Sequence, residues 1–229
     1  MIRSIFGTSL IEYPGRISAV LFSGGCNLAC PFCHNPELVL PDLLDRQYSI
    51  SDDDVLESLR RRKGFIDAVT ITGGEPLFHP DTPDLIARIK TETGLMVKLD
   101  TNGTYPERLK ECLSRVDYVA MDFKTSPGKY PLATGGGAVF EDVMESLDII
   151  RTIDDYEIRT TMVPELVTPE DVREIVAVLG PVRRFVLQQF RPGKTLSRDL
   201  ADLKPYPTLL LEDLADEARK TAREVSVRI

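Results

Sequence analysis

Ser23-Gly24-Gly25-Cys26-Asn27-Leu28-Ala29-Cys30-Pro31-Phe32-Cys33-His34-Asn35-Pro36 is the stretch that decides how this chain is read. It holds three of the four cysteines in the protein, spaced C-x-x-x-C-x-x-C. Three thiolates on so short a loop can converge on a single point. Iron–sulfur clusters are held by Cys thiolates, and a [4Fe–4S] cube can leave one iron without a protein ligand. Zinc is the rival occupant, since Cys3His is a known closed site and His34 follows Cys33 directly. Three unliganded thiols form the bland alternative, disfavoured because such a group is prone to oxidation. The spacing says metal, and the rest of the chain has to say which.

Immediately before the loop, Ile17 to Phe22 reads as a buried strand running into the cysteines. Beyond it, apolar strand, polar loop and amphipathic helix alternate. Ser51 has the position of an N-cap, with Asp52 to Asp54 in the first turn and Ile50 and Val55 as a hydrophobic staple. Strands follow at Ala68–Thr72, Met96–Leu99, Tyr118–Phe123, Ile158–Val163 and Arg184–Gln189. Between them come a helix from about Pro83 closed by Gly94, a helix carrying Leu109, Cys112 and Leu113, and one carrying Val143, Leu147 and Ile150. Thr168 and Pro169 open the next helix and Gly180-Pro181 ends it. Leu209 to Val225 reads as a last helix. Six strand–helix units predict an α/β fold with a parallel sheet, either an incomplete barrel or a doubly wound open sheet.

The residues just past each strand are where the chemistry gathers. Besides the cysteine loop these are Gly73-Gly74-Glu75-Pro76, Asp100-Thr101-Asn102-Gly103, Asp122-Phe123-Lys124 and Gln188-Gln189-Phe190-Arg191. In a parallel barrel all such ends lie on one face, where active sites are built. The glycines can bring bare backbone to a ligand, and Glu75 can accept hydrogen bonds from an ammonium. Each motif also has a plainer reading: a turn with an exposed Glu, an Asx turn, an Asp122–Lys124 ion pair. Gly135-Gly136-Gly137 lacks the Walker Lys-Ser/Thr and reads as a flexible loop. His79 reads as a loop residue, and Cys112 as a small core residue.

The 229 residues suffice for one α/β domain, and 28 Lys plus Arg against 36 Asp plus Glu leave a formal net charge of −8. That balance argues against a general binder of nucleic acid or anionic membrane, and Arg60-Arg61-Arg62-Lys63 reads as a solvated cationic helix end. No signal-peptide h-region and no bilayer-length apolar run is present, so a cytoplasmic protein is expected.

With those residues in view, the chain resembles the radical S-adenosylmethionine (SAM) superfamily. The resemblance rests on Cys26, Cys30 and Cys33 with Phe32 before the last cysteine, followed by Gly73-Gly74-Glu75-Pro76. Tyr13-Pro14-Gly15, Cys33-His34-Asn35-Pro36-Glu37, Asp100-Thr101-Asn102-Gly103 and Asp122-Phe123-Lys124 are similar, more narrowly, to the activases of glycyl-radical enzymes. Of these the branch that activates anaerobic ribonucleoside-triphosphate reductase is the most similar. The resemblance covers nearly the whole chain and implies one radical SAM domain over residues 1–229, folded as a partial (β/α)6 TIM barrel.

It also implies a site. Cys26, Cys30 and Cys33 would hold three irons of a [4Fe–4S] cluster, leaving the fourth for the amino and carboxylate groups of SAM. Gly73, Gly74 and Glu75 would lie along the methionyl amino group, Asp122 by the ribose, and Lys124 against the carboxylate. Phe32 and the backbone of His34 would flank the adenine. Asp100 would complete the polar floor with a monovalent cation beside Asp122, and Arg159 and Gln189 would contribute from the last two strands. The implied reaction is reductive cleavage of SAM to a 5′-deoxyadenosyl radical, which takes hydrogen from a glycine of a partner enzyme. An anaerobic ribonucleotide reductase is the first such partner and a pyruvate formate-lyase type the second, with flavodoxin or ferredoxin as electron donor. Two other readings remain open at this point: a small-molecule radical SAM enzyme resembling 7-carboxy-7-deazaguanine synthase, and a zinc-stabilised binding module.

Overall fold

The run Ser18 to Leu21 is buried residue after residue, as expected of a strand covered on both faces. It belongs to a computed structural model that describes residues 1–229 in two compact units. The first unit comprises Met1–Asn27, Glu37–Thr101 and Tyr105–Val119, and the second Leu28–Pro36, Asn102–Thr104 and Ala120–Ile229.

The first unit contains strands β1 (Ile2–Ser9) and β2 (Ser18–Ser23), then helices α1 (Pro36–Val39), α2 (Pro41–Leu44) and α3 (Asp52–Arg60). Strand β3 (Ala68–Gly73), helix α4 (Thr82–Thr93), strand β4 (Met96–Thr101) and helix α5 (Pro106–Leu113) follow, and β5 (Tyr118–Asp122) passes from this unit into the second. β1 pairs antiparallel with β2, whereas β2, β3 and β4 run parallel. Ser51 caps α3 by accepting from the Asp54 N–H at 3.2 Å, and Gly94 closes α4 with φ +72°, a left-handed turn that suits glycine. Val55, Leu56 and Leu59 of α3 and Leu85, Ile86 and Ile89 of α4 are fully buried, so both helices press their apolar stripes inward. Cys112 on α5 is likewise fully buried, the core residue the sequence suggests. Arg60 pairs with Glu92 and Arg61 with Glu57, both at the surface, where such pairs are worth little.

The second unit continues with α6 (Tyr130–Thr134), α7 (Phe140–Ile150), β6 (Tyr156–Met162), α8 (Pro169–Leu179), β7 (Arg184–Gln189), α9 (Thr208–Ala218) and β8 (Glu224–Arg228). β6, β7 and β8 are parallel, in register from Ile158↔Phe185 and Arg184↔Glu224 onward. The short helices α1, α2 and α6 lie where the sequence leads to no element, and two further elements differ from expectation. β1 lies where no element is expected, because irregular register at both its ends and an exposed Phe6 blur the alternation. The last helix stops at Ala218 rather than reaching Val225, and the Val-Ser-Val alternation of 225–227 forms β8 instead.

A capping box starts α8: Thr168 Oγ1 accepts from the Asp171 N–H, and Asp171 accepts from the Thr168 N–H at 2.7 Å. Asp171 also takes the Ser126 hydroxyl and the Lys129 ammonium, each at 2.6 Å. Burial pushes its carboxyl up, but these donors outweigh burial and hold it at about 2. Because the folded value is depressed, the stabilisation is complete above the unfolded value and drains away as pH falls through about 2. Asp171→Asn is therefore expected to cost about 2 kcal/mol at pH 7 and less at pH ~3. Urea unfolding at the two pH values checks this; an equal cost at both would contradict the assignment.

Candidate active site

Ser23 and Gly73 are register partners at the ends of β2 and β3, so the start of the cysteine loop meets Gly73-Gly74-Glu75 at once. The Gly74 N–H donates to Ser23 O at 2.9 Å and the Glu75 N–H to Gly25 O at 2.8 Å. A Cβ on Gly74 would stand 2.1 Å from Gly25 O, and one on Gly73, at φ +116°, 2.5 Å from Ser23 O. Both glycines are thus demanded by the backbone packed against them. Cys26, half-buried, comes directly after this contact. His79 reinforces it: its Nε2–H donates to Gly24 O at 2.5 Å, so this histidine has a structural duty that the sequence reading misses.

Glu75 is 1% exposed, and its Oε1 accepts from the Leu77 N–H at 3.0 Å and from the Thr101 hydroxyl at 2.9 Å. Asp100, also buried, takes the ammonium of buried Lys98 on Oδ1. A built-in cation therefore already stands beside Asp100, the carboxylate expected to complete the polar floor.

In the second unit, Cys30 and Phe32 are buried and Cys33 is half-buried, with the Cys33 N–H closing a turn on Cys30 O at 3.0 Å. Phe32 lies 5.9 Å from the Lys124 ammonium, measured to the ring centroid. Lys124 Nζ is 2.9 Å from Asp122 Oδ2, and Arg159 Nε is 2.8 Å from Asp122 Oδ1. Burial opposes ionisation of Asp122, yet Arg159 and Lys124 outweigh it and hold the carboxyl well below its usual range. Burial likewise works against the Lys124 charge, and Asp122 overrides it and raises the ammonium. The Cys30 thiol is pushed up by burial, only partly offset by Lys124.

His34 is exposed, and its Nδ1–H donates to Lys194 O at 3.0 Å, while its ring sits 6.1 Å from that of Phe190. Gln189 donates from Nε2 to Tyr206 O at 2.7 Å, which leaves Oε1 buried with no partner.

Cys30, Phe32, Asp122, Lys124 and Arg159 thus come together in one unit, and Gly73, Gly74 and Glu75 adjoin Gly25 in the other. The groups present suit the cluster and SAM. None of the four cysteines is in a disulfide, and Cys26, Cys30 and Cys33 carry the thiol donor chemistry that iron–sulfur clusters require. SAM carries an ammonium, a carboxylate and hydroxyls, for which an ionised Asp122, two cations and the orphaned Gln189 Oε1 offer partners.

Residues 20–179 match the radical SAM superfamily. A Methanocaldococcus jannaschii protein, provisionally named a glycyl-radical enzyme activating enzyme, is 31% identical over 235 residues, covering 100% of this chain and 95% of its own. The pyruvate formate-lyase-activating enzyme of Clostridium pasteurianum is 29% identical over 202 residues, covering 85% and 82%. Among solved structures, Streptococcus suis SuiB bound to S-adenosylmethionine gives a TM-score of 0.68 at 17% identity over 92% of this chain, which spans 50% of SuiB. QueE from Escherichia coli gives 0.62 at 22% identity, covering 99% of this chain and 92% of QueE. At such identities the structures speak for the fold alone, and it is the α/β fold of radical SAM enzymes, in keeping with the partial barrel expected from the sequence. Enzymes of this superfamily use a [4Fe–4S] cluster and SAM, which leaves no place for the zinc module. The match over residues 20–179 and the 31% identity along the full chain place this protein in the radical SAM superfamily, among the glycyl-radical-enzyme-activating enzymes.

Proposed function

We propose that this enzyme binds its cluster through Cys26, Cys30 and Cys33 and uses SAM to install a glycyl radical on a partner protein. The observation that carries the reading is the trio of cysteines, none of them in a disulfide, on the loop leaving β2. Bound together, a [4Fe–4S] cluster and SAM supply one-electron cleavage of the S–C5′ bond, giving methionine and a 5′-deoxyadenosyl radical that takes one hydrogen from a glycine Cα. The chain's own residues bind and orient. Asp122, kept ionised by Arg159 and Lys124, accepts hydrogen bonds from the ribose, and Lys124 faces the carboxylate. Glu75 and the Gly73-Gly74 backbone would serve the amino group, and Asp100 would complete the polar lining. Phe32 and the backbone of His34 would flank the adenine, and Gln189 Oε1 would gain the donor it lacks. Buried Phe32 helps to exclude water.

The partner is a glycyl-radical enzyme in the cytoplasm: an anaerobic ribonucleotide reductase on the sequence motifs, or a pyruvate formate-lyase type on the names of relatives. Flavodoxin or ferredoxin supplies the electron. No helix is long and apolar enough to cross a membrane. The small-molecule alternative gains only a fold from the likeness to QueE. The test mixes the reduced, reconstituted protein and SAM with each partner and looks for a glycyl EPR doublet. A doublet on one partner supports the reading and chooses between the two. Turnover of a small substrate with no doublet on either would reverse it.

A further inference from the structure

Cys30 is held through its two chain neighbours by segments that contain no cysteine. On one side, the Ala29 N–H donates to Thr134 O, the last residue of α6, at 3.1 Å. Gly135 follows at φ +68°, and a Cβ there would lie 2.8 Å from Ala29 O and 3.0 Å from Ala29 Cβ. The glycine-rich stretch that reads as a flexible loop thus begins with a residue pressed onto the cysteine loop. On the other side, the Ser197 N–H donates to Pro31 O at 2.8 Å, and Lys194 O receives the Nδ1–H of His34 at 3.0 Å.

Both holders have footing. α6 is anchored by Tyr130, 1% exposed, whose ring meets Phe123 and Phe140 with centroids 5.6 and 5.0 Å away. The Tyr130 hydroxyl accepts from the Lys124 N–H at 3.2 Å, and Tyr130 O accepts from the Thr134 hydroxyl at 2.7 Å. The 194–197 segment is braced internally by the Thr195 hydroxyl donating to Ser197 O at 2.7 Å, and the loop that carries it is closed by the Gly193 N–H on Ala201 O at 2.8 Å.

We infer that Gly135 and Ser197 are positioning residues for the cluster: between them they fix the backbone on both sides of Cys30. The inference rests on the proposed role of Cys30 as a cluster ligand. Thiolates projecting from a fixed backbone hold metal with less loss of chain freedom than thiolates on a loose one. Neither residue touches metal or SAM in this account. Gly135 works by lacking a side chain, and Ser197 by its backbone N–H.

Gly136 gives an internal control. It also has positive φ, +80°, but a Cβ there would meet nothing within 4 Å. Gly136→Ala therefore carries the left-handed strain alone, whereas Gly135→Ala adds the clash with the cysteine loop. Ser197→Pro deletes the donor at a backbone of φ −87° and ψ 126°, near what proline accepts, and Ser197→Ala keeps it. The five proteins, native included, would be reconstituted anaerobically with iron and sulfide. Iron per chain, the EPR spectrum of the reduced cluster and the rate of iron loss to a chelator would then be measured, with the melting temperature of each apo form.

Gly135→Ala and Ser197→Pro are expected to lose iron about tenfold faster than Gly136→Ala and Ser197→Ala, the lower end of what supporting residues contribute to metal sites. Their EPR spectra should broaden, while Ser197→Pro and Ser197→Ala melt together in the apo form. Equal chelation rates and spectra within both pairs would overturn the inference while leaving the cluster reading intact. Failure of the native protein itself to take up iron would instead overturn the assignment of the cysteines.

Discussion

Cys26→Ala is expected to bring SAM cleavage below detection, with iron per chain falling sharply after reconstitution. In the proposed cluster each of the three thiolates would hold one iron, and metal-binding free energy is large enough that losing one anion from three is not made up by neighbours. Residues near Cys26 offer no replacement thiol: Gly24, Gly25 and Asn27 surround it, and the fourth cysteine, Cys112, is fully buried on α5. The measurement is 5′-deoxyadenosine formed from SAM with a chemical reductant, which removes any dependence on the partner or the electron donor. Cys112→Ala, made alongside, should cleave at the native rate. Native-level cleavage by the Cys26 variant would end the cluster assignment.

Arg228→Ala is expected to cost about 3 kcal/mol in stability. Glu157 on β6 is 1% exposed, and Arg228 on β8 meets both of its oxygens, with Nη1–Oε1 at 2.8 Å and Nη2–Oε2 at 2.5 Å. Removing the arginine leaves a buried carboxylate without its bidentate partner, and that desolvated charge accounts for the loss. Glu157→Gln in the same protein removes the charge and should recover most of it. Urea unfolding of the apo forms tests this; a loss below ~1 kcal/mol would mean that water reaches Glu157.

That ion pair also shows where sequence reading stops. The pairing of Glu157 with Arg228 spans 71 residues and needs β8, whose stretch follows a strongly helical run without a proline or glycine to mark the change. Arg219 to Arg223 bridge the two, and only the Val225–Val227 alternation hints at a strand. Signals confined to a few residues fared better. Ser51, Gly94 and Thr168 announce helix ends because a cap acts on a backbone group within about one turn of itself.

The same distinction holds at the site. The spacing of Cys26, Cys30 and Cys33 is local, so a metal reading is available from the sequence directly. Asp122 and Lys124, two residues apart, pair as their spacing suggests, but the second cation on Asp122 comes from Arg159, 37 residues away. His79 on Gly24 O and Thr101 on Glu75 are likewise long-range contacts with no local signature. Gly135 looked like slack because a glycine run carries no record of what its missing side chains would strike.

Fully buried Cys112, finally, is a built-in unfolding clock. Burial, with Glu111 adding to it, pushes its thiol up to about 12, so in the native state it is neither reachable nor ionised. A brief pulse of alkylating reagent will mark it only in molecules whose core has opened. Once the other three cysteines are occupied by iron, the labelled fraction over time reads the opening of the holoprotein directly, with no dye, tag or engineered reporter.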